Sequence, residues 1–470
     1  MTSRYVDVIV IGNGVIADSV SANLMWHDRK LKVAQIGPKV RIGSATQAAA
    51  AMLNSFAEVD KDTFSFPLYQ ERFRFNRYAD RQVWERFLAR LSSETGRSVN
   101  HGFGTFVINN AKSGVLEDEN FDSIVRALDL EGAKYELALP SETNGYEPAD
   151  SVRALRGVYI ADEGWVNPVQ LLSSLDYVLS KFDNHTMMDT EVVRLNYSNS
   201  RVTSVETKDG AEVFAEIILL ANGAGMTDLM KRSDLGGMLL PVYRGVGVTV
   251  ILETLSDTLS NCVRTPNRGL ACGLYAAPRD ESHTIIGATN AIWDIPRTSP
   301  TLNNVSTLLH NARTELNQNF DRAAVVGWNV GWRPITEDLM PMIGETEVKG
   351  LFVANGMRRD GFHCSPVIGE IMADLLLRRK PRVEIGSFVP RRRPLQILSR
   401  EESIDRIVEH TIAAAVEHGF VPGHVNQRLR FGRAIRAEAN TVHDWLGLSE
   451  TGIQPEFFSY FEGRRRRDNP

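Results

Sequence analysis

Gly12 and Gly14, in the stretch VDVIVIGNGVIADSVSANL (residues 6–24), stand where a backbone can grip phosphate. A β-branched apolar run, Val6 to Ile11, precedes them, and a helical pattern follows. The first glycine permits a tight turn, and the second lets backbone N–H groups approach a pyrophosphate at a helix N-terminus. The third position of the motif is Ala17, which adds one methyl where only helix-to-strand packing is at stake. The next strand pattern, LKVAQIGPK, ends on Gly37, Pro38 and Lys39 instead of the acidic residue that would take ribose hydroxyls. Lys39 and Arg41 keep a 2′-phosphate, and hence NADP, open. A glycine turn without any ligand would look much the same.

Residues 43–58, GSATQAAAAMLNSFAE, narrow the choice. A run of Ala and Ser lets a chain pass close to a flat ring system without side-chain obstruction; without the preceding motif it reads as a small-residue helix packed on a sheet. With that motif, the segment resembles the glycine oxidase branch of the D-amino-acid oxidase family, in which an (S/T)xAAAGML run followed by a glutamate crosses under FAD. The resemblance continues through DEGWVNPVQLLSSL (162–175), with Asn167 for the usual acid, and IILLANGA (217–224), a strand closing on a glycine turn. LPVYRGVGVTVIL (240–252) and LYAAPRDESHTIIGATN (274–290) are similar to its substrate-domain strands, and 331–376 is similar to its G-x-RP and RNG stretches.

The resemblance implies non-covalent FAD held by Gly12, Gly14, Ala17, Ser44, Ala45, Thr46, Ala51, Met52, Gly223, Arg359, Asp360, Gly361, Phe362 and His363. It puts Arg333 of GWRP where the family carries the arginine that anchors a substrate carboxylate. A planar guanidinium suits that task because its fork gives two parallel charge-assisted hydrogen bonds; an interdomain ion pair is the plainer role. Tyr275 matches a tyrosine that holds the carboxylate or lines the pocket, and reads equally as a core strand aromatic. Arg359 falls on the flavin-facing arginine, although the adjacent Arg358 leaves open which of the two turns inward. The loop continues with Phe362, His363 and Cys364 where the family has aliphatic residues. His363 is expected to be a hydrogen-bonded core histidine, with contact to flavin O2 as the alternative. RPITED carries no cysteine to tether the flavin, and Cys364 is not expected to do so.

Oxidising an amine at a flavin moves a hydride from the α-carbon while the nitrogen lone pair forms the imine, so a neutral amine needs no protein base. The absence of a nucleophile–base motif therefore does not argue against an enzyme. The expected function is FAD-dependent oxidation of the C–N bond of a small amino acid or N-substituted glycine, giving an imine and, with O2, hydrogen peroxide. A dehydrogenase passing electrons to a quinone or partner protein, and a flavin-holding subunit of a larger complex, are the alternatives.

These residues need a scaffold. The fold class expected is α/β: a Rossmann-type FAD-binding domain (1–60, 155–235, 325–394) interleaved with an antiparallel-sheet substrate domain (61–154, 236–324), plus a helical extension (395–470). In the extension the capping box Ser399-x-x-Glu402 opens a helix with apolar Ile404, Ile407, Val408 and Ile412, ended by Gly419 and Pro422. Ile407, Leu429, Trp445, Leu446, Phe457, Phe458 and Phe461 must bury an apolar stripe, on the core or across a homodimer. Arg464 to Arg467 read as a solvated tail. The formal charge of −5 over 470 residues gives no reason to expect nucleic acid. Cys262, Cys272 and Cys364 form no CxxC, no metal site is expected, no eighteen-residue apolar run appears, and the strand starting near Tyr5 leaves no room for a signal peptide; a cytoplasmic protein is expected.

Overall fold

The computed structural model describes residues 4–270, 272–421 and 423–468; Pro422, expected to help end a helix, lies outside the described residues. Its centre is a six-stranded sheet in the order 342–345, 351–355, 217–220, 8–11, 33–36, 185–188. All neighbours are parallel except the first pair. Val8–Ile11 and Ile217–Leu220 are apolar throughout because both faces of this sheet are covered. Val8 and Val10 face the helices Val15–His27, Pro168–Ser180 and Ser365–Leu376. Ile9 and Ile11 face a second, four-stranded sheet with Val205 and Val213 in its core. Asn167, where the family has an acid, caps the helix Pro168–Ser180, its Oδ1 accepting from the N–H groups of Val169 and Gln170 at 3.1 Å each.

The third layer is a nine-stranded sheet in which 324–336 runs beside 242–253, and 101–110 beside 154–166. It is antiparallel except where Cys262–Arg264 joins 105–107 in parallel. The strands divide the chain differently from the expected boundaries. Ala154–Val166 and Ala324–Thr336 belong to this large sheet, because long ladders to 101–110 and 242–253 fix them there. Conversely, helices Pro67–Arg77 and Arg81–Thr95 bury Phe75, Val83, Trp84, Phe87 and Leu91 on the helical face of the six-stranded sheet.

The extension folds onto the same body. Ser399 and Glu402 form the capping box, and helix Arg400–Glu417 packs Ile404 and Ile407 against Ile435, Ala439 and Val442 of helix Val425–Trp445. Phe457 then enters a cluster with Ile292 and Ile335 of the large sheet and Leu339 of the turn that follows strand 324–336. Leu429, expected in the buried stripe, is exposed. The arginine run is not a loose tail: it lies in helix Phe458–Asp468, where Arg465 pairs with Glu438, Arg466 with Glu462 and Arg467 with Asp294. Carboxylates within reach of these three guanidiniums account for the difference, while Arg464 lies by the Tyr460 hydroxyl. Among the described residues, no helix is long and apolar enough to cross a membrane.

Candidate cofactor and substrate site

A cleft of about 490 Å³ runs from the first glycine turn to the large sheet. At one end, strand Val8–Ile11 stops at Gly12, whose φ of +136° disfavours any residue with a Cβ. A Cβ there would sit 2.4 Å from the carbonyl oxygen of Ala221, so the two strand ends approach as closely as glycine permits. Gly14 caps helix Val15–His27, and the hydroxyl of Thr46 accepts from the Val15 N–H at 3.2 Å. Gly37 has the same logic: a Cβ would lie 2.8 Å from that of Asn13.

Arg41 does not wait for a 2′-phosphate. Its guanidinium donates to the carbonyl and side-chain oxygens of Asn13, at 2.6 Å each, and pairs with Asp18 at 3.3 Å and Asp176 at 2.7 Å. Burial pushes Asp18 up to about 7, against the pull of Arg41. The phosphate-recognising reading of Arg41 is therefore corrected: local carboxylates occupy it.

The small-residue segment makes the middle of the cleft. Ser44, Ala45, Thr46, Ala51 and Met52 all line it, with Gly223 opposite. Gly331 of the long strand passes so near that its Cβ would meet that of Ala48 at 2.6 Å. Of the expected cofactor residues only Ala17 is off the wall; it is fully buried in the helix, where the third motif position serves packing. A groove whose walls approach at glycine and alanine positions, beginning at a helix N-terminus, fits a dinucleotide with a flat ring.

At the other end Arg333 lies opposite Gly245 in the ladder and over Gly247, where a Cβ would be 2.2 Å from the guanidinium. It donates to the carbonyl oxygen of Thr289 at 2.9 Å and pairs with no carboxylate among the described residues. Tyr275 is buried against Gly287, and burial raises its phenol so that it stays protonated. Sequence reasoning gave no reason to choose Gly247, because only the fold brings it under Arg333.

The two adjacent arginines part company. Arg359 turns to the cleft, 3.3 Å from Glu58, and donates to Asn267 at 3.1 Å; Arg358 pairs with Glu456 of the extension. Burial opposes ionisation of Glu58, but Arg359 and Arg264 hold it at about 2. The turn carrying Glu58 is fixed by Glu163, whose carboxylate accepts from the N–H groups of Ser55, Phe56 and Ala57 at 2.7, 2.5 and 3.2 Å. No local signal in the sequence links residue 163 to 55–57.

Beyond Arg359, Asp360 pairs with Arg72 at 2.6 Å, Gly361 packs on Met357, and Phe362 stacks on Trp84. His363 is hydrogen-bonded as a core histidine and also reaches the cleft wall. Its Nε2 hydrogen-bonds to the Asn76 carbonyl at 2.9 Å, as a core histidine would, while its buried Nδ1 is unpartnered and the residue lines the cleft. Burial lowers its pKa, keeping the ring neutral. Cys364 points to Asn76 behind the wall. Among the wall residues that were not expected are Asn222 and Asn355, whose amide donates to the Gly223 carbonyl at 2.9 Å and so ties the last two glycine turns together.

A family model described as FAD-dependent oxidoreductase (DAO) matches residues 7–375. Glycine oxidase of Geobacillus kaustophilus (strain HTA426) is 29% identical over 397 residues, which cover 83% of this chain and 97% of that protein. Glycine oxidase of Bacillus licheniformis is 27% identical over 389 residues, covering 82% and 96%. The crystal structure of glycine oxidase from Geobacillus kaustophilus superposes with a TM-score of 0.71 at 25% identity, over 83% of this chain and all of the other. The family match ends before the extension.

Proposed function

We propose, for a chain that belongs to the family of FAD-dependent oxidoreductases, the oxidation of the C–N bond of a small amino acid or N-substituted glycine. The observation that carries this reading is Arg333: a guanidinium on the cleft wall, steadied by the Thr289 carbonyl and paired with no carboxylate among the described residues. Such a group is suited to grip a substrate carboxylate through two parallel hydrogen bonds and so fix the rotation of the α-carbon. The glycine oxidases to which the chain is similar support the same substrate class.

FAD, when bound, supplies the acceptor for the hydride that leaves the α-carbon. Gly12, Gly14 and the 44–52 segment would hold it, non-covalently, with Gly223 and the 359–363 loop on the facing wall. The six- and four-stranded sheets form the cofactor part in this reading and the nine-stranded sheet the substrate part. Tyr275, kept neutral by burial, offers a hydroxyl to the carboxylate, and the Glu58–Arg359 pair sets the charge of the wall beside it. With O2 as the electron acceptor the products are an imine and hydrogen peroxide.

Anaerobic mixing with a panel of glycine, sarcosine and D-amino acids tests the proposal. Bleaching of the flavin absorbance by at least one of them is expected, followed by rapid recolouring and peroxide release in air. Bleaching with slow recolouring would replace O2 by another acceptor, and no bleaching by any carboxylated amine would overturn the reading.

A further inference from the structure

Three guanidiniums crowd at the inner wall of the cleft, Arg358 and Arg359 on it and Arg72 behind. Arg72 pairs with Asp360, Arg359 with Glu58 and Arg358 with Glu456, and the side chains of all three arginines are at most 12% exposed. The carboxylates of the first two pairs come from the part of the chain that the family model covers. Glu456 does not: it sits in the turn Pro455–Phe457 of the extension, held against the core by Phe457. Arg358 adopts a left-handed φ of +52° and lines both the cleft and a smaller polar cavity of about 80 Å³ between the 58–63 segment, residues 267–270 and the extension. A buried guanidinium beside two others requires its own counter-charge. Burial and the neighbouring Arg359 and Arg72 all act against the charge of Arg358, and Glu456 is the carboxylate that opposes them first.

We propose that Glu456 is a positioning residue for the site: it draws Arg358 towards the extension, away from the Glu58 carboxylate that Arg264 and Arg359 share, so that Arg333 remains the cleft's single carboxylate anchor. The extension thereby takes part in substrate selection without touching substrate. Deprived of Glu456, Arg358 keeps Asp360 as a carboxylate neighbour, already paired with Arg72, and turns to a carboxylate that enters the cleft. A substrate carboxylate held there is misplaced, so turnover falls without a matching rise in KM. The consequence for turnover rests on the amine-oxidising reading; the consequence for anion binding does not.

The test uses the full-length holoprotein with Glu456→Ala, Glu456→Gln and the double variant Glu456→Ala/Arg358→Leu. Benzoate is titrated against the visible flavin spectrum, and kcat and KM are measured for the best amine. Both single variants are expected to bind benzoate at least about tenfold more tightly than the parent protein and to lose at least about tenfold in kcat. The double variant should return both quantities to within about threefold of the parent. Rescue by removing Arg358 separates sorting of the arginines from support of the fold, since lost support would persist in the double variant. Unchanged benzoate affinity in both single variants, or a defect that persists in the double variant, overturns the proposal. If the parent is bleached by no amine, the amine reading fails and the benzoate series still decides the role of Glu456. If Glu456→Ala does not fold, Glu456→Gln and the double variant decide it.

Discussion

Replacing Arg333 by Ala probes the anchor directly. The guanidinium lies over Gly247, and its one strong bond in the structure is to the Thr289 carbonyl, so the substitution strands no buried carboxylate. The loss should therefore report substrate contact. Truncating a charged, hydrogen-bonded partner in a closed pocket costs about 2–5 kcal/mol. That corresponds to roughly 30- to 5,000-fold in kcat/KM, with both a higher KM and a lower kcat because orientation is lost with affinity. FAD content should stay near that of the parent, since the glycine turn at 12–14 belongs to another sheet. The assay is steady-state oxidation of the best carboxylated amine alongside its neutral amide. The amide, which lacks the carboxylate, should lose less than about threefold. An acid substrate still oxidised within about threefold of the parent rate, or equal losses for acid and amide, would refute the anchor and turn attention to Arg359.

Gly247→Ala should act on the same contact from beneath, because its methyl would stand 2.2 Å from the guanidinium; a KM raised about tenfold or more with normal FAD content is expected from substrate titrations. Glu163 is pushed up to about 7 by burial, so the folded protein keeps a proton that the unfolded chain, near 4.5, has released. Stability should fall as pH rises from about 4.5 to about 7, by on the order of 3 kcal/mol from this group, and Glu163→Gln should flatten that slope in urea melts; an unchanged slope would contradict it. Acid precipitation should leave the flavin in the supernatant, since Cys364 faces Asn76 behind the wall; a yellow pellet would show a covalent link.

What the sequence determined by itself is what short stretches of chain can impose. The Val6–Ile11 run and the two glycines specify a strand, a tight turn and a helix start, because φ at Gly12 and the crowding at Ala221 exclude a side chain. The alanine-rich 45–51 segment announces a close approach, and Ser399 with Glu402 fixes a helix start within four residues. Motif order along the chain then implied the family, and the matched range agrees with it. The roles of individual charges were a different matter. That Arg358 faces Glu456, that Arg41 is spent on Asp18 and Asp176, and that Glu163 pins the turn before Glu58 all depend on partners 23 to 135 residues away or, for Glu456 and Glu163, 98 and 106 to 108. The same holds for strands 154–166 and 324–336, whose sheet was decided by ladder partners and not by their own pattern. Alternating apolar residues tell which face of a strand is buried but carry no label for what buries it. A guanidinium's task follows from the nearest carboxylate, and only the folded chain brings that carboxylate near.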